Sequence, residues 1–203
     1  MTDEISAILL AGGRSRRMGR DKAGLKLDGQ LTLLRSIADK LKAISHQVIV
    51  STDGRRYEGL DDDIIWADDV YPGGGSLVGL YSGLRVAERD YALVVACDMP
   101  FINADLLRYM IARPRDYDIL APKTGDKIEP LHAIYAKRCL PAIEKLLAAG
   151  RKKIIELYAE VKVRYLTPEE IDRYDPRHRA FFNVNTPEEL QEAKAIIEGR
   201  DKT

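Results

Sequence analysis

The stretch that most constrains this chain lies near its start. Ala7-Ile8-Leu9-Leu10-Ala11 is continuously apolar, stops at Gly12-Gly13, and leads into four arginines and a lysine between Arg14 and Lys22. A short apolar run bounded by glycine is the pattern of a buried strand. Where no Cβ intervenes, backbone N–H groups can approach a phosphate, and Arg and Lys donors can surround it. The strand is therefore expected to end at a polyanionic ligand.

Two familiar phosphate loops do not fit. A Walker A loop needs Gly-x4-Gly-Lys-Ser/Thr, but five residues separate Gly13 from Gly19, and Arg20 follows. A dinucleotide turn needs Gly-x-Gly-x-x-Gly opening a helix, and Gly12, Gly13 and Gly19 do not have that spacing.

Further along, strand and helix patterns alternate. Gly24 to Gln30 suggests a small hairpin with an Asp-Gly turn. Leu31, Leu34, Ile37, Ala38, Leu41 and Ile44 form a helical stripe. Val48-Ile49-Val50 and Ile64-Ile65-Trp66-Ala67 read as strands, and a Gly-rich connection, Tyr71 to Gly75, leads into a helix over 76–89. Ala92 to Ala96 is the most strand-like run, and a helix capped by Asn103 follows to about Arg113. Asp118–Pro122, Pro130–Ala136 and Val161–Leu166 read as strands, and Arg138–Ala149 as a helix stopped by Gly150. Lys153–Ala159 looks helical. Thr167-Pro-Glu-Glu170 and Thr186-Pro-Glu-Glu189 are capping boxes that start helices.

This alternation predicts a three-layer α/β/α, Rossmann-like, mostly parallel sheet. Ligands on such sheets bind beyond the carboxyl ends of the strands, near the switch in strand order. Gly12, Ser51, Asp68 and Asp98 each follow a predicted strand, so four strand ends deliver polar groups to one edge. Asp98 follows a wholly apolar strand, where an unpaired carboxylate is costly to desolvate. It is the best single metal ligand, in the manner of magnesium held by a carboxylate and substrate phosphates. Asn103, rather than Asp98, occupies the helix-cap position. Asp69 competes with Asp68 for the role at the third strand end. Arg151-Lys152-Lys153 reads equally as a basic site segment or as a solvated charge run.

Composition excludes several classes. Lys+Arg and Asp+Glu number 32 each, so overall charge favours neither nucleic acid nor a membrane surface as partner. Cys97 and Cys139 alone provide no disulfide framework and no cysteine metal site. His46, His132 and His178 are scattered, each expected at the surface or as a satisfied core residue. The first apolar run is too short for a signal peptide, and no stretch reaches the ~20 apolar residues that span a bilayer. A cytoplasmic protein is expected.

From Leu10 to Lys22 the chain matches Leu-Ala-Gly-Gly-x-Ser-x-Arg-Met-Gly-x-Asp-Lys without a gap. In this it closely resembles the molybdenum cofactor guanylyltransferase (MobA) family of NTP-using transferases. Phe182-Asn183-Val184-Asn185-Thr186-Pro187 is close to that family's C-terminal signature, and Pro72 to Gly79 resembles its Gly-Pro-Leu-Ala-Gly turn, with Ser76 in place of Pro. The resemblance spans essentially the whole chain and implies a single nucleotidyltransferase domain over 1–203. It implies transfer of GMP from GTP to Mo-molybdopterin with release of pyrophosphate, and Mg2+ as the metal. Other cofactor-biosynthesis proteins and recipient apoenzymes would be partners. It assigns catalysis to Arg17, Lys22 and Asp98, with Asp98 on the metal. The nucleotide falls to Leu10, Ala11, Gly12, Gly13, Lys22, Ser51, Asp68 and Asp98, and the acceptor to Gly79, Lys153, Asn183 and Asn185. Ser51 departs from the family's Asn, and a hydroxyl cannot present the paired groups of an amide. A CTP-using molybdopterin cytidylyltransferase or a sugar- or alditol-phosphate transferase is the enzyme rival. A molybdenum cofactor carrier is the non-enzymatic one.

Overall fold

The structure, a computed structural model, describes residues 4–12 and 32–199. Gly13, Arg17, Lys22 and the expected hairpin over 24–30 lie outside the described residues. Among the described residues eight strands form one sheet: β1 (Ser6–Leu10), β2 (Gln47–Thr52), β3 (Ile65–Asp68), β4 (Tyr91–Ala96), β5 (Ile119–Thr124), β6 (Lys127–Ile128), β7 (His132–Ala136) and β8 (Val163–Leu166). The helices are α1 (Leu33–Lys42), α2 (Ser76–Val86), α3 (Ala104–Ile111), α4 (Leu140–Ala148), α5 (Pro168–Asp172) and α6 (Pro187–Ile197).

The strand order is β3-β2-β1-β4-β7-β5-β6, with β8 beside β5. β1 pairs in parallel with β2 and β4, and β2 with β3. β7 runs antiparallel to both β4 and β5, which leaves β5 and β8 pointing the same way as β1. The sheet is thus mostly parallel, as the alternating pattern predicts. The chain moves from β1 to β2 in one direction across the sheet and from β3 to β4 in the other. Right-handed crossovers therefore place α1 and α2 on opposite faces. α4 shares the α2 face, where Tyr81 donates to Glu144 at 2.6 Å.

Local chemistry accounts for the helix limits. Thr32 caps α1, and Asn103 caps α3 by accepting from the amides of Asp105 and Leu106. Both predicted capping boxes form, Thr167 with Glu170 and Thr186 with Glu189. At the end of α4, Gly150 (φ 76°) donates to Leu147 and Arg151 to Leu146. This is the bond pair of a Schellman cap. Two expectations are corrected. The second helix stops at Val86 rather than Arg89, because Gln47 and Ser6 take up the amides of Glu88 and Arg89. The 153–159 segment is a 3-10 helix over Ile154–Ala159, tied to the start of α2 by the Ile154 amide donating to Ser76.

Helix α2 reaches the sheet through glycines one turn apart. A Cβ on Gly83 would sit 2.7 Å from Ile8 Cγ2, and one on Gly79 would sit 3.1 Å from Leu10 Cδ2 and 3.2 Å from Ser51 Oγ. The helix axis can lie this close to β1 and β2 only because these two residues lack side chains. Among the described residues, no helix is long and apolar enough to cross a membrane.

Candidate active site

Strand order reverses between β1 and β4, which makes the crevice beyond their carboxyl ends the topological switch point. The register lines these ends up, with Leu10 opposite both Ser51 and Ala96. Beyond the last pairs, the Ala11 amide donates to Ser51 O at 2.9 Å and the Cys97 amide to Leu10 O at 3.0 Å. Gly12 and Asp98 therefore leave adjacent strands at the same level. Gly12 is exposed, while Asp98 is partly buried with its Oδ1 atom shielded from solvent.

The C-terminal signature comes to the same place. The Val184 amide donates to the Asp98 carbonyl at 2.8 Å, so Asn183 and Asn185 flank the β4 end although 85 and more residues separate them in sequence. Asn183 donates to the Phe181 carbonyl at 2.9 Å. The Asn185 amide is bound by Glu189 of the α6 capping box.

On the other side of the crevice, the glycine connection and the basic segment fold onto each other. The Leu77 amide donates to the Lys152 carbonyl at 3.1 Å, and the Lys152 ammonium donates to the Pro72 carbonyl. Gly75, at φ 122°, could not carry a side chain in any case, since its Cβ would fall 3.0 Å from the Lys152 backbone. Sequence reasoning chose Lys153 from this basic run. Lys153 is exposed and precedes the 3-10 helix, whereas Lys152 is the residue laid across the glycines. The lysine nearest the loop was not legible from three adjacent cations.

Several predicted ligand groups already have protein partners. Ser51 is 1% exposed, and its hydroxyl donates to the Gly79 carbonyl at 3.0 Å. The Ala11 carbonyl accepts from the Tyr57 phenol at 3.1 Å. Asp68 is gripped bidentately by Arg56 at 2.6 and 2.9 Å, which holds its carboxyl below the usual range. Arg56 also lies over Trp66, 5.0 Å from the ring centre. Its neighbour Asp69 has no cation of this kind among the described residues. Half-burial, with Asp53 and Asp68 nearby, pushes the Asp69 carboxyl up to about 6. Asp69 faces the glycine loop, its Oδ2 lying 3.7 Å from where a Cβ on Gly74 would be. The sequence left Asp69 as the rival of Asp68, because two consecutive aspartates look alike until packing separates them.

One expectation about histidines is corrected. His132 is a core residue but not a satisfied one: it is 0% exposed, and neither ring nitrogen has a hydrogen-bond partner. No group of three or more His, Cys, Asp or Glu that could hold a metal occurs among the described residues.

A mostly parallel sheet with Gly12 and Asp98 on adjacent strand ends at the switch point, and Lys152 laid across a glycine connection, fits an NTP-using nucleotidyltransferase. Comparison with known proteins narrows this. Residues 7–163 match the family described as the MobA-like NTP transferase domain. The probable molybdenum cofactor guanylyltransferase of Pelotomaculum thermopropionicum is 40% identical over 195 residues, covering 96% of this chain and 94% of that one. The molybdenum cofactor guanylyltransferase of Desulfosudis oleivorans is 37% identical, covering 96% of each. The crystal structure of molybdopterin-guanine dinucleotide biosynthesis protein A from Archaeoglobus fulgidus superposes with a TM-score of 0.82 at 29% identity, covering 96% of this chain and 100% of that one. The chain belongs to the molybdenum cofactor guanylyltransferase family.

Proposed function

We propose that this enzyme transfers GMP from GTP to the terminal phosphate of Mo-molybdopterin and releases pyrophosphate. An acceptor phosphate oxygen attacks the α-phosphorus of GTP in line. A new P–O bond forms as the bond to the pyrophosphate oxygen breaks, with no covalent enzyme intermediate. The observation that carries this reading is the meeting of the Gly12 turn, Asp98 and the Asn183–Asn185 segment at one switch point. Donor-side and acceptor-side motifs thereby converge on one crevice.

Asp98 fits a hard divalent cation, because its carboxylate emerges at the strand end as one oxygen ligand beside the place for phosphates. Magnesium bound there would neutralise charge on the triphosphate. Arg17 and Lys22 are assigned to phosphate charge by the motif, and Gly12-Gly13 to close backbone approach. Leu10, Ala11, Ser51 and Asp68 border the nucleoside. Gly79, Lys153, Asn183 and Asn185 border the acceptor, with Gly79 acting through helix placement. Positioning and electrostatic stabilisation supply most of the rate in transfers of this kind.

Asp98→Asn is expected to lower kcat by at least about a hundredfold while the nucleotide still binds. Pyrophosphate release that survives Asp98→Asn and Lys22→Ala unchanged would sink the site. Ser51 favours a second reading. Its hydroxyl is spent on Gly79 and offers no amide to a base, so CTP competes as donor. Turnover of GTP against CTP on molybdopterin decides this, and preferential CTP use would reject the guanylyl assignment.

A further inference from the structure

Outside the switch-point crevice, the β5–β6 hairpin, the 177–182 loop and α6 enclose a cavity of about 570 Å3. Thr124, Lys127, Glu129, Arg177, Arg179 and Phe181 are among the residues lining it. We propose that this cavity is a subsite for a 2-amino-4-oxopyrimidine ring, read by the Glu129 carboxylate, and that its occupant is the pterin of the acceptor. This inference rests on the reading that the acceptor is a pterin phosphate.

Glu129 is the key observation. It is 5% exposed yet lines an open cavity, and its Oε1 makes no hydrogen bond. Lys127 Nζ stands 2.7 Å from that oxygen but is misaligned for a hydrogen bond, and its side chain is 66% exposed. A buried carboxylate is costly unless donors satisfy it. Two parallel N–H groups satisfy both of its oxygens at once, and a 2-amino-4-oxopyrimidine presents such a pair: a ring N–H and the exocyclic amine. A phosphate cannot take this place, because the carboxylate would repel it.

The surroundings suit a flat bicyclic ring. Phe181 and Phe182 both line the cavity and offer aromatic surface. Behind Phe181 lies the His132 ring, edge-on with centroids 5.1 Å apart, which fixes the phenyl plane. Arg177 and Arg179 place positive charge at the lining for the anionic remainder of a ligand.

The location also agrees. β5 points the same way as β1 and β4, so Thr124, at its carboxyl end, puts the cavity on the same edge as Asp98. Phe182 lines the cavity, and Val184, two residues on, is bonded to the Asp98 carbonyl. Two residues of extended chain span ~7 Å. A pterin held at Glu129 could therefore present a phosphorylated side chain to the α-phosphate site along the Phe182–Asn183 segment.

The test uses the whole protein and 6-hydroxymethylpterin as the probe, followed by its own fluorescence, with guanosine as competitor because it carries the same ring edge. Wild type is expected to bind the pterin and to release it to guanosine only at about tenfold or greater excess. Glu129→Gln keeps the volume and removes the charge. It should weaken pterin binding at least about tenfold through lost charge-assisted hydrogen bonds. Ala195→Phe, from the half-exposed lining of α6, should block the cavity to a similar degree. GTP affinity, measured separately, should stay unchanged in both and report an intact fold. Absent pterin binding in wild type, unchanged binding in both variants, or guanosine binding as tightly as the pterin would each overturn the proposal. Wild-type turnover with GTP and molybdopterin is read independently. Failure there would reject the guanylyltransferase reading itself, whereas normal turnover with an unaltered acceptor KM in Glu129→Gln would reject only the pterin subsite.

Discussion

Several polar groups in the two halves of the sheet are engaged in different ways. In the β1–β4 half, the groups aimed at the nucleotide edge are already engaged: Ser51 with Gly79, the Ala11 carbonyl with Tyr57, and Asp68 with Arg56. In the β5–β8 half, both nitrogens of His132 are buried without hydrogen bonds, and Glu129 Oε1, beside a cavity, has only the ion pair with Lys127 at 2.7 Å. The first half is close-packed around glycines, and in the nucleotide reading a bound nucleotide would exchange partners with the protein. In the second half His132 bears a standing desolvation cost, while a ligand in the cavity could supply the hydrogen bond that Glu129 Oε1 lacks.

The sharpest way to break this contrast is acid titration of stability. Burial pushes the His132 imidazole from its ordinary 6.5 down to about 4. Below pH 6.5 the unfolded chain binds a proton that the native ring refuses until about pH 4. Stability from this residue is therefore complete above 6.5 and is lost as the pH falls toward 4. The loss amounts to about 3 kcal/mol. Urea unfolding at pH 7 and pH 4.5 should show a smaller drop in His132→Leu than in wild type, by about 2 to 3 kcal/mol. Equal drops would mean that the ring is solvated and the two halves are not so different.

The close-packed half is probed at Gly83. An added Cβ 2.7 Å from Ile8 overpacks a fully buried contact. Such overpacking costs about 1–3 kcal/mol, against a helix gain of about 0.5–1. Gly83→Ala should destabilise by about 1–2 kcal/mol in denaturant titration. Gly79→Ala, whose contacts are looser, should cost less and disturb the Ser51 hydroxyl instead. A stabilised Gly83→Ala would show that α2 has slack over β1.

The comparison also explains what could be read in the chain. Strand ends, capping boxes and Asn103 were legible because each depends on a few neighbouring residues. That Gly12 and Asp98 share one edge followed from a general rule about parallel sheets, whereas the Asn183 segment was linked to the site only by the family resemblance. Lys152, Asp69 and Glu129 were not legible. Lys152 and Asp69 each stand beside a chemically similar rival, and for them, as for Glu129, only long-range packing decides which groups are buried or laid across a loop. The 3-10 winding of 154–159 was hidden for a related reason, since the Ser76 hydroxyl, 78 residues away, holds its first amide. Ser51 was singled out as a departure from the family's Asn, but its partner, the Gly79 carbonyl, lies on an element whose close approach depends on missing side chains.

The smallest expected effect tests partner exchange directly. Arg56 and Asp68 are about half exposed, so their pair contributes little to stability, and Arg56→Gln should leave the unfolding midpoint nearly unchanged. The same pair lies where ribose hydroxyls would bind in the nucleotide reading, so Arg56 competes with the ligand for Asp68. Releasing it should tighten GTP binding only a few-fold, because an exposed, solvent-screened pair competes weakly with a ligand. Asp68→Asn should shift affinity the other way, because an amide accepts ribose hydroxyls less strongly than a carboxylate. Calorimetric titration of both variants separates the cases. Weaker GTP binding in Arg56→Gln would mean that the arginine contacts the nucleotide itself. The β1–β4 edge would then be assembled for its ligand rather than closed against it.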